Sequence, residues 1–415
     1  MADTQTSDWA DLAYEMRGPL QELFPTQYPL SAELKADTSE QNFSGSQVRV
    51  PIILNTLQGT GGVAEGGTVN SPQKERTAQA HIDIAELVEP ISLTKRLQMR
   101  SVDNYAASAV AEKVKLARQA LARVENEMLN GPGAGKLSDI VSGSSPGLSI
   151  TIGDATHPVN WRQFYPGRVV DILTKSNGAN PGNGLSRIIA SVNRATWTVT
   201  FDTNAVNGGQ SGNITFSANE GIYIQGSYGN ALQSIQQIAA QSGIFESINK
   251  ANVPEWQGTD GRAGDTSSLP LSQTMLDAAF VELGLSAAYA TPSGSEYFAI
   301  GDPKAINKYA QSFYTTYRTP IGTNKLETGF EGVDYRGYTL LSDFDHKLGA
   351  VHFLHKPSLQ MYAFPGVPDF DQTTGSMWQR FSRILAAEAW LYDARQLGAK
   401  QCATTIFLYN LTQAS

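Results

Sequence analysis

One long stretch of helical periodicity constrains the fold of this chain more than any other feature. Apolar residues recur at spacings of 4, 3, 4, 3 and 4 along one helix face, at Val110, Val114, Ala117, Leu121, Val124 and Met128. The helix is predicted from about Asp103 to Asn130, where Gly131-Pro132 ends it. At 1.5 Å per residue it is about 40 Å long. Because fewer than four heptads are present, we expect the helix to lie on a sheet rather than in a coiled coil.

Two strand-like runs flank a glycine-rich segment. Residues 47–57 have strand composition, and residues 79–93 alternate polar side chains such as His81 with apolar ones such as Ile82. The segment between them is far longer than a hairpin turn requires, and it contains Gly59, Gly61, Gly62, Gly66 and Gly67. Because an isolated two-stranded hairpin is marginal in water, we expect this one to be mobile or held by another subunit.

The first 43 residues form an acidic segment. They carry eight acidic residues against Arg17 and Lys35, which gives a net charge of −6. Pro19, Pro25 and Pro29 limit any helix here to one or two turns. We therefore expect an arm that lies across another molecule instead of burying itself, with a frayed terminus as the alternative.

Residues 148–226 differ in composition, with few charges and many Gly, Asn, Ser and Thr. Short strand-like runs lie at 168–173, 187–192, 196–201, 213–216 and 221–225. Asn- and Gly-rich turns separate them. This pattern predicts an inserted β-barrel or sandwich of five or six strands.

The remaining sequence mixes helices and strands. Helices are predicted from about Asn230 to Lys250 and from Ser272 to Tyr289. A strand at Glu296–Gly301 leads into a third helix, with Asp302 as its N-cap and Pro303 as its first residue. Strands are predicted within 332–343 and 349–362, and residues 377–398 fit either a helix or one very long strand.

The composition of the chain excludes several classes of protein. The 415 residues, 41% of them apolar, can bury one large core or two to three smaller ones. The net charge of −8, without a dense basic block, argues against a conventional DNA-binding protein. Cys402 is the single cysteine and Met1 is followed by polar residues, so we expect a reducing cytosol and no export. No apolar window is long enough to cross a bilayer, so we expect no membrane partner.

Motifs for chemistry are weak. Residues 130–136 resemble a phosphate-binding loop, but Asn130 and Leu137 stand where that loop needs Gly and Ser or Thr. Residues 143–147 match a nucleophile elbow, but Pro146 lacks the N–H that an oxyanion hole requires. We predict no catalytic residue and no cofactor.

One cluster contains residue types that bind metals, namely Asp343, Asp345, His346, His352 and His355. In a strand His352 and His355 point to opposite faces, and neither Cys nor Glu completes a tetrahedron. We therefore expect satisfied surface histidines and no metal.

The order of elements resembles the major capsid proteins of tailed bacteriophages, which have the Hong Kong 97 fold. The segment SVDNYAASAVAEKVKLARQALARVENEMLNG resembles the spine helix of that family, and residues 44–92 resemble its extended loop. EYFAIGDPKAINKYA resembles a strand and helix of the axial domain, and GYTLLSDFDHKLGAVHFLHKPSLQMY the passage back to the peripheral domain. SRILAAEAWLYDARQLGAKQCATTIFL resembles the closing peripheral strand and last axial strand, which favours a strand over a helix there.

This resemblance implies an α+β, Hong Kong 97-type capsid fold with an inserted small β-barrel or sandwich domain. The implied divisions are an N-terminal arm (1–43), an extended loop (44–92), a peripheral domain with the spine helix (93–147), the inserted β domain (148–226), a connection to the axial domain (227–250), the axial domain (251–348), peripheral strands (349–395), and the last axial strand with the C-terminus (396–415).

The resemblance also implies a function. The chain would be a structural shell subunit, not an enzyme, that forms hexamers and pentamers of an icosahedral capsid around double-stranded DNA without sequence-specific binding. Its partners would be copies of itself, a scaffolding protein, a portal and decoration proteins, and its location the virion after assembly in the host cytoplasm. An encapsulin-like compartment, an enzyme of unrecognised class and a carbohydrate-binding protein are the alternatives.

Two sets of residues are expected to carry assembly. Contacts between subunits are expected in the extended loop, at Gly59, Gly61, Gly62, Gly66, Gly67, Lys74 and Arg76. The apolar stripe from Val110 to Met128 is expected to pack the spine helix onto its own domain.

Overall fold

The computed structural model describes most of the chain. The described residues are 28–37, 41–42, 47–55, 61–68, 71, 74–94, 105–143, 145–154, 159–206, 209, 211–285, 296–316, 323–325, 331–335, 337–364, 368–371, 378–380 and 386–412. Among them the helices are α1 (Pro29–Asp37), α2 (Tyr105–Asn130), α3 (Ile235–Ala239), α4 (Gln273–Leu285) and α5 (Pro303–Thr316). No helix of these residues combines the length and apolar character that a bilayer crossing needs.

Most strands of the described residues have seven residues or fewer, and β2, β3, β4, β10 and β23 are longer. Up to residue 224 they are β1 (Gln41–Asn42), β2 (Gln47–Asn55), β3 (Arg76–Asp83), β4 (Ala85–Thr94), β5 (Lys136–Asp139), β6 (Ser142–Gly143), β7 (Ser149–Thr151), β8 (Val169–Thr174), β9 (Arg187–Asn193), β10 (Thr198–Ala205) and β11 (Glu220–Ile224). After it they are β12 (Ile244–Phe245), β13 (Ile248–Asn249), β14 (Thr259–Asp260), β15 (Tyr297–Gly301), β16 (Thr323–Lys325), β17 (Glu331–Tyr335), β18 (Tyr338–Ser342), β19 (Val351–His355), β20 (Leu359–Ala363), β21 (Asp369–Phe370), β22 (Gln379–Arg380), β23 (Ala386–Ala399) and β24 (Ile406–Leu408).

A six-stranded sheet is organised around β23, which has 14 residues. Strand β4 pairs with it antiparallel from Ala85 opposite Arg395 to Thr94 opposite Ala386. Strands β20, β21 and β22 also pair with β23, and β1 adds to β20 in parallel. In the segment that fitted either a helix or a strand, residues 386–398 are therefore a strand. Helix α2 packs on β4, and together they bury the large core, which includes Leu121, Leu391 and Leu397.

A seven-stranded sheet has the order β14-β24-β19-β15-β18-β17-β16. Its β15 is followed by α5, and Asp302 Oδ1 accepts a hydrogen bond from the Lys304 N–H at 3.0 Å, as expected of an N-cap. One face of the sheet packs against α4 and α5 through residues such as Tyr297 and Phe353. The other face contributes Phe298 and Ile300 to the large core. This alternation makes the sheet a layer between two cores.

A second seven-stranded sheet, β5-β11-β8-β9-β10-β7-β6, forms the β module, residues 136–224. Its own core contains Ile150, Val170, Ile189 and Ile222, all fully buried. The module begins with β5, before the expected boundary at 148, because β5 pairs with β11. The run at 213–216 is not a strand, since Ile214 makes only an isolated bridge to Gly147.

Part of the acidic arm lies on the body of its own chain, contrary to expectation. In α1 the side chains of Leu30 and Leu34 are fully buried in the large core. The Ser31 N–H donates to Asn126 Oδ1 of α2 at 3.4 Å, and Lys356 Nζ lies 3.0 Å from Glu33 Oε1. Leucines spaced by four bury one face of even a short helix. Residues 1–27 of the arm lie outside the described residues.

The helix predicted from Asn230 to Lys250 is wrong. Helix α3 starts with a capping box between Ser234 and Gln237 and ends at Ala239. Ala240 then takes an extended backbone, with φ of −61° and ψ of 146°, which ends helical hydrogen bonding, and β12 and β13 form a small hairpin. The apolar spacing of this segment reflects two successive elements that both face the large core.

Candidate assembly site

The hairpin predicted from the two strand-like runs is present. Strands β2 and β3 pair antiparallel from Gln47 opposite Asp83 to Asn55 opposite Arg76. On one face Ile52, Leu54 and Ala78 are partly buried against the large core. On the other face Ile53 is 70% exposed. The base of the hairpin is therefore supported by its own chain, while its outer face carries uncovered apolar surface.

The loop between these strands is uncovered where it is described. Gly61, Gly62, Gly66 and Gly67 are exposed, as are Lys74 and Arg76, whereas Gly59 lies outside the described residues. A Cβ added at Gly62 or Gly66 would meet no atom within 4 Å. Packing within the chain therefore does not require these glycines, although the φ of +74° at Gly66 does favour one.

Arg76 ties one end of the loop to the body. Its Nη2 donates to the backbone oxygen of Asn252 at 3.2 Å. The guanidinium remains exposed beyond that bond, next to the exposed Glu75. The loop is therefore anchored to the body at Arg76, where one exposed acidic residue and one exposed basic residue are adjacent.

The predicted stripe of α2 lies against the large core. Ala117, Leu121 and Met128 are buried, and Val114 and Val124 are partly buried there. The side chain of Val110 lies outside the described residues. The opposite side of the helix exposes Lys115 and Arg118.

The last two turns of α2 also carry buried polar side chains. These join side chains from the β module and the seven-stranded sheet in a polar cluster consisting of Arg123, Asn126, Glu127, Asn130, Arg162, Arg168, Asp343, Asp345, His346, His352 and Tyr409. The cluster lies where the three cores meet.

Glu127 links α2 to the β module. Its Oε1 accepts from Arg168 Nη1 at 3.2 Å and from Arg123 Nε at 3.0 Å. Arg123 Nη2 also donates to the Arg162 backbone oxygen at 2.7 Å, and its guanidinium lies 4.4 Å from the centroid of the Tyr165 ring. Because the Glu127 side chain is fully buried, removing either arginine would leave its charge with one partner fewer.

A hydrogen-bonded chain links α2 to the seven-stranded sheet. His346 Nδ1 lies 2.8 Å from Asn130 Oδ1, His346 Nε2 lies 2.9 Å from His352 Nδ1, and His352 Nε2 lies 3.2 Å from the Tyr409 hydroxyl. An amide oxygen can only accept, so His346 Nδ1 carries its proton. His352 Nδ1 then donates to His346, and Tyr409 donates to His352. Asn130 Nδ2 completes the chain to Asp343 Oδ2 at 3.0 Å.

Both imidazoles are therefore neutral. Burial lowers the pKa of His346 to about 3, and burial together with His346 lowers the pKa of His352 well below its ordinary value. Burial and the neighbouring charge of Asp343 raise the pKa of Asp345 to about 6. The expectation of surface histidines is wrong for His346 and His352, which are fully buried.

The cluster is suited to structure more than to chemistry. Each ring nitrogen of His346 and His352 already has a hydrogen-bond partner, so neither has a lone pair available for a metal ion. The described residues bring together no group of three His, Cys, Asp or Glu side chains that could hold one. After α2 the chain enters a strand at Lys136 and not a helix, so the phosphate-loop geometry is absent from residues 130–136.

Sequence reasoning missed most of this cluster. Arg123 and Glu127, like Asn126 and Asn130, are four residues apart, a spacing that places each pair on one helix face. Both pairs flank the apolar stripe, and this position beside a buried face could have indicated that their side chains are buried too. Their partners in the cluster, 39 to 219 residues away in the chain, carry no local pattern.

Similar proteins are found by structure and not by sequence. Neither a protein-family model nor a curated protein matches the sequence. The capsid asymmetric unit of cyanophage A-1(L) superposes on 96% of this chain and 97% of its own, with a TM-score of 0.57 and 12% identity. The chain has the fold of a phage capsid protein. The resemblance predicted from the order of elements is thereby confirmed for the fold.

Two further structures are similar over their whole length. Mycobacterium phage Ogopogo matches 99% of this chain and 100% of its own, with 8% identity and a TM-score of 0.47. The encapsulin of Synechococcus elongatus PCC 7942, in its holo-SrpI complex, matches 100% and 99%, with 9% identity and a TM-score of 0.46. Similarities of this size do not discriminate between a virus and a compartment, so the capsid fold rests on the cyanophage structure.

Proposed function

We propose that the chain is a shell subunit that assembles into hexamers and pentamers of an icosahedral phage capsid. The observation that carries this proposal is the shared fold with the cyanophage capsid protein, which covers 96% of this chain and leaves little of that protein unmatched. The protein is then structural and not enzymatic.

In this proposal the described elements take the roles of the divisions of the capsid fold. The β2–β3 hairpin and its loop form the extended loop, and α2 is the spine helix of a peripheral domain with the six-stranded sheet. The seven-stranded sheet with α4 and α5 is the axial domain. The β module is an addition to this plan.

The extended loop is the proposed contact with neighbouring subunits. Ile53, Lys74 and Arg76 are exposed, and a Cβ added at Gly62 or Gly66 of the loop would meet no atom within 4 Å. Burying such apolar and charged surface on another copy stabilises both, and a flexible segment orders only when it binds. Assembly and ordering of this segment are then linked.

Enclosed DNA would be held without sequence-specific contacts. A net charge of −8 repels phosphates and gives no counterion release on binding. The shell then confines double-stranded DNA mechanically. A scaffolding protein, a portal and decoration proteins are the proposed further partners, with assembly in the host cytoplasm and the virion as the final location.

The test is electron microscopy of the full chain, expressed alone and with candidate scaffolding proteins. We expect closed shells with hexameric and pentameric units, and nuclease-protected DNA in particles from infected cells. Shells that contain protein and no nucleic acid would favour an encapsulin-like compartment instead. Monomers that never assemble, whatever the partner, would contradict the proposal.

A further inference from the structure

The small hairpin formed by β12 and β13 holds the extended loop to the body. We call residues 244–249 the clasp. The Glu246 backbone oxygen accepts a hydrogen bond from the His81 N–H of β3 at 2.9 Å. The Glu246 side chain turns the other way, and its Oε1 accepts from the Ala399 N–H at the end of β23, also at 2.9 Å. One residue therefore joins the base of the projecting hairpin to the central strand of the six-stranded sheet.

The clasp is anchored to the body at its other end. Lys250, which is fully buried, donates from Nζ to the backbone oxygens of Gln237 (2.9 Å), Ile238 (2.6 Å) and Ala240 (2.9 Å). These oxygens terminate α3, where helical carbonyls lack partners. Phe245 and Ile248 fill the large core beneath. The clasp is therefore held to the body by several buried contacts, whereas the hydrogen bond described between it and β3 is the single one from the His81 N–H.

Backbone strain is concentrated at the tip of the clasp. Glu246 and Ser247 have left-handed φ angles of 50° and 65°. Two-residue hairpin turns of this kind favour Asn and Gly, because other residues pay a steric penalty there. Such strain persists only where surrounding contacts impose it, and it marks positions with a function.

The carboxyl of Glu246 is buried against the end of β23, where Gly398 leaves room for it. The residue is 3% exposed, and its Oε2 has no hydrogen-bond partner among the described residues. A Cβ added at Gly398 would lie 2.7 Å from Ile82 Cδ1 and 3.3 Å from Glu246 Oε1, so glycine permits this approach. A buried oxygen without a partner is costly as a carboxylate and less so when the group is protonated.

We propose that Glu246 makes the clasp a proton-controlled switch, which holds the extended loop to the body while its carboxyl is neutral and releases it when the carboxyl ionises. Three titratable side chains interact with its carboxyl, namely Lys250 in the adjoining turn, Tyr362 in β20 and Cys402 after β23, and His81 in β3 meets Glu246 through the backbone. Burial keeps the Tyr362 hydroxyl and the Cys402 thiol neutral, because it raises the pKa of both.

The direction of the switch follows from linkage. Burial raises the pKa of Glu246 from 4.5 to about 8, against the weaker opposing effects of the Ala399 N–H and Lys250. A raised acid pKa favours the closed clasp most below pH 4.5, and this advantage is lost as the pH rises to about 8. Within that window the opening constant rises up to about tenfold per pH unit.

Hydrogen exchange of the unassembled full chain tests this, with peptides that cover β3 and rates corrected for intrinsic exchange. A His81→Asn background keeps the backbone N–H and removes the imidazole. In that background we expect β3 to open more readily as the pH rises from 5 to 8. Glu246→Gln should abolish the pH dependence, whereas the exposed Glu75→Gln should leave it intact.

A second variant separates strain from protonation. Ser247→Gly relieves the left-handed backbone, so it should slow opening several-fold at every pH without changing the slope. If Glu246→Gln shows the same pH dependence as its background, the switch is excluded. This readout uses no particles, so it stands or falls separately from the capsid proposal.

Discussion

At the scale of single residues, the interior of this protein depends on polar groups as much as on apolar ones. Tyr409, His352, His346 and Asn130 form a directional chain of hydrogen bonds that ends on Asp343. Each member donates to the next, so all are satisfied without any imidazole charge. Such a network fixes one arrangement of α2 against the sheet, because shifting either element would leave buried donors unpaired.

His346 makes stability depend on pH. Its folded pKa of about 3 lies below its unfolded value of 6.5, so the neutral ring contributes full stability above pH 6.5 and loses it as the pH falls toward 3. The cost of His346→Gln should therefore be about 2 kcal/mol smaller at pH 5 than at pH 7. Urea unfolding at the two pH values measures this difference.

Tyr409→Phe is the matched control for that prediction. It removes the first donor of the same chain and adds no group that titrates in this range. Its cost, about 1 to 3 kcal/mol for an unsatisfied buried acceptor, should be equal at both pH values. An equal cost of His346→Gln at pH 5 and pH 7 would show that the ring is not held neutral.

At the scale of elements, the local sequence pattern predicts an element correctly where a single buried face determines its structure. The stripe of α2 and the N-cap at Asp302 follow from spacing and residue type alone, and so does the β2–β3 pairing. Strand β23 is different, because AAEAWLYDARQLGA contains good helix formers and is buried on both faces. Partners on both of its edges, β4 and β20, override that propensity.

Leu121→Asp tests the packing of α2. The side chain is buried in the large core, so the aspartate would lose hydration without gaining a partner and should cost about 3 to 5 kcal/mol. Denaturant unfolding followed by circular dichroism measures the loss. Arg118→Asp, on the exposed side of the same helix, should change stability by less than about 0.5 kcal/mol. A normally stable Leu121→Asp protein would contradict the packing described here.

Deleting residues 59–67 tests the extended loop. The described glycines of this segment are exposed, so the isolated chain should keep its secondary structure and its melting temperature. If the loop contacts neighbouring subunits, shells should become fewer or less stable. Particle yield by sedimentation, beside circular dichroism of the unassembled chain, gives both results, and unchanged particles would assign the contacts to another surface.

At the scale of the whole molecule, the polar cluster links α2 both to the β module, through Glu127 and Arg168, and to Asp343 beside the seven-stranded sheet. Arg168→Gln should cost about 3 kcal/mol and let the β module melt separately, since Glu127 would keep a buried charge with one partner fewer. Calorimetry should show one transition for the original protein and two for the variant. Adding Glu127→Gln should recover part of the loss, and a single unchanged transition in Arg168→Gln would refute the coupling.

The contacts that join the cores are also the part that sequence could not predict. Spacing predicted the mixture of helices and strands and the outline of the β module, and the family resemblance implied the α+β class. The spacing of prolines led to the prediction that the acidic arm lies outside the body, because it carries no information about the core in which Leu30 and Leu34 are buried. The sequence pattern placed His346 and His352 at the surface, because the Asn130 amide that accepts from His346 lies more than 200 residues earlier in the chain, and the partners of His352 are His346 itself and Tyr409.

The β module has its entrance and exit side by side. Tyr223 lies opposite Lys136, and the Ile224 N–H donates to the Gly135 oxygen at 2.9 Å. A shortened chain could therefore join Gly135 to the residue after Ile224 across a short gap, without rerouting the remaining polypeptide. The same deletion would remove the Arg168 partner of Glu127 and leave that buried carboxylate with Arg123 alone.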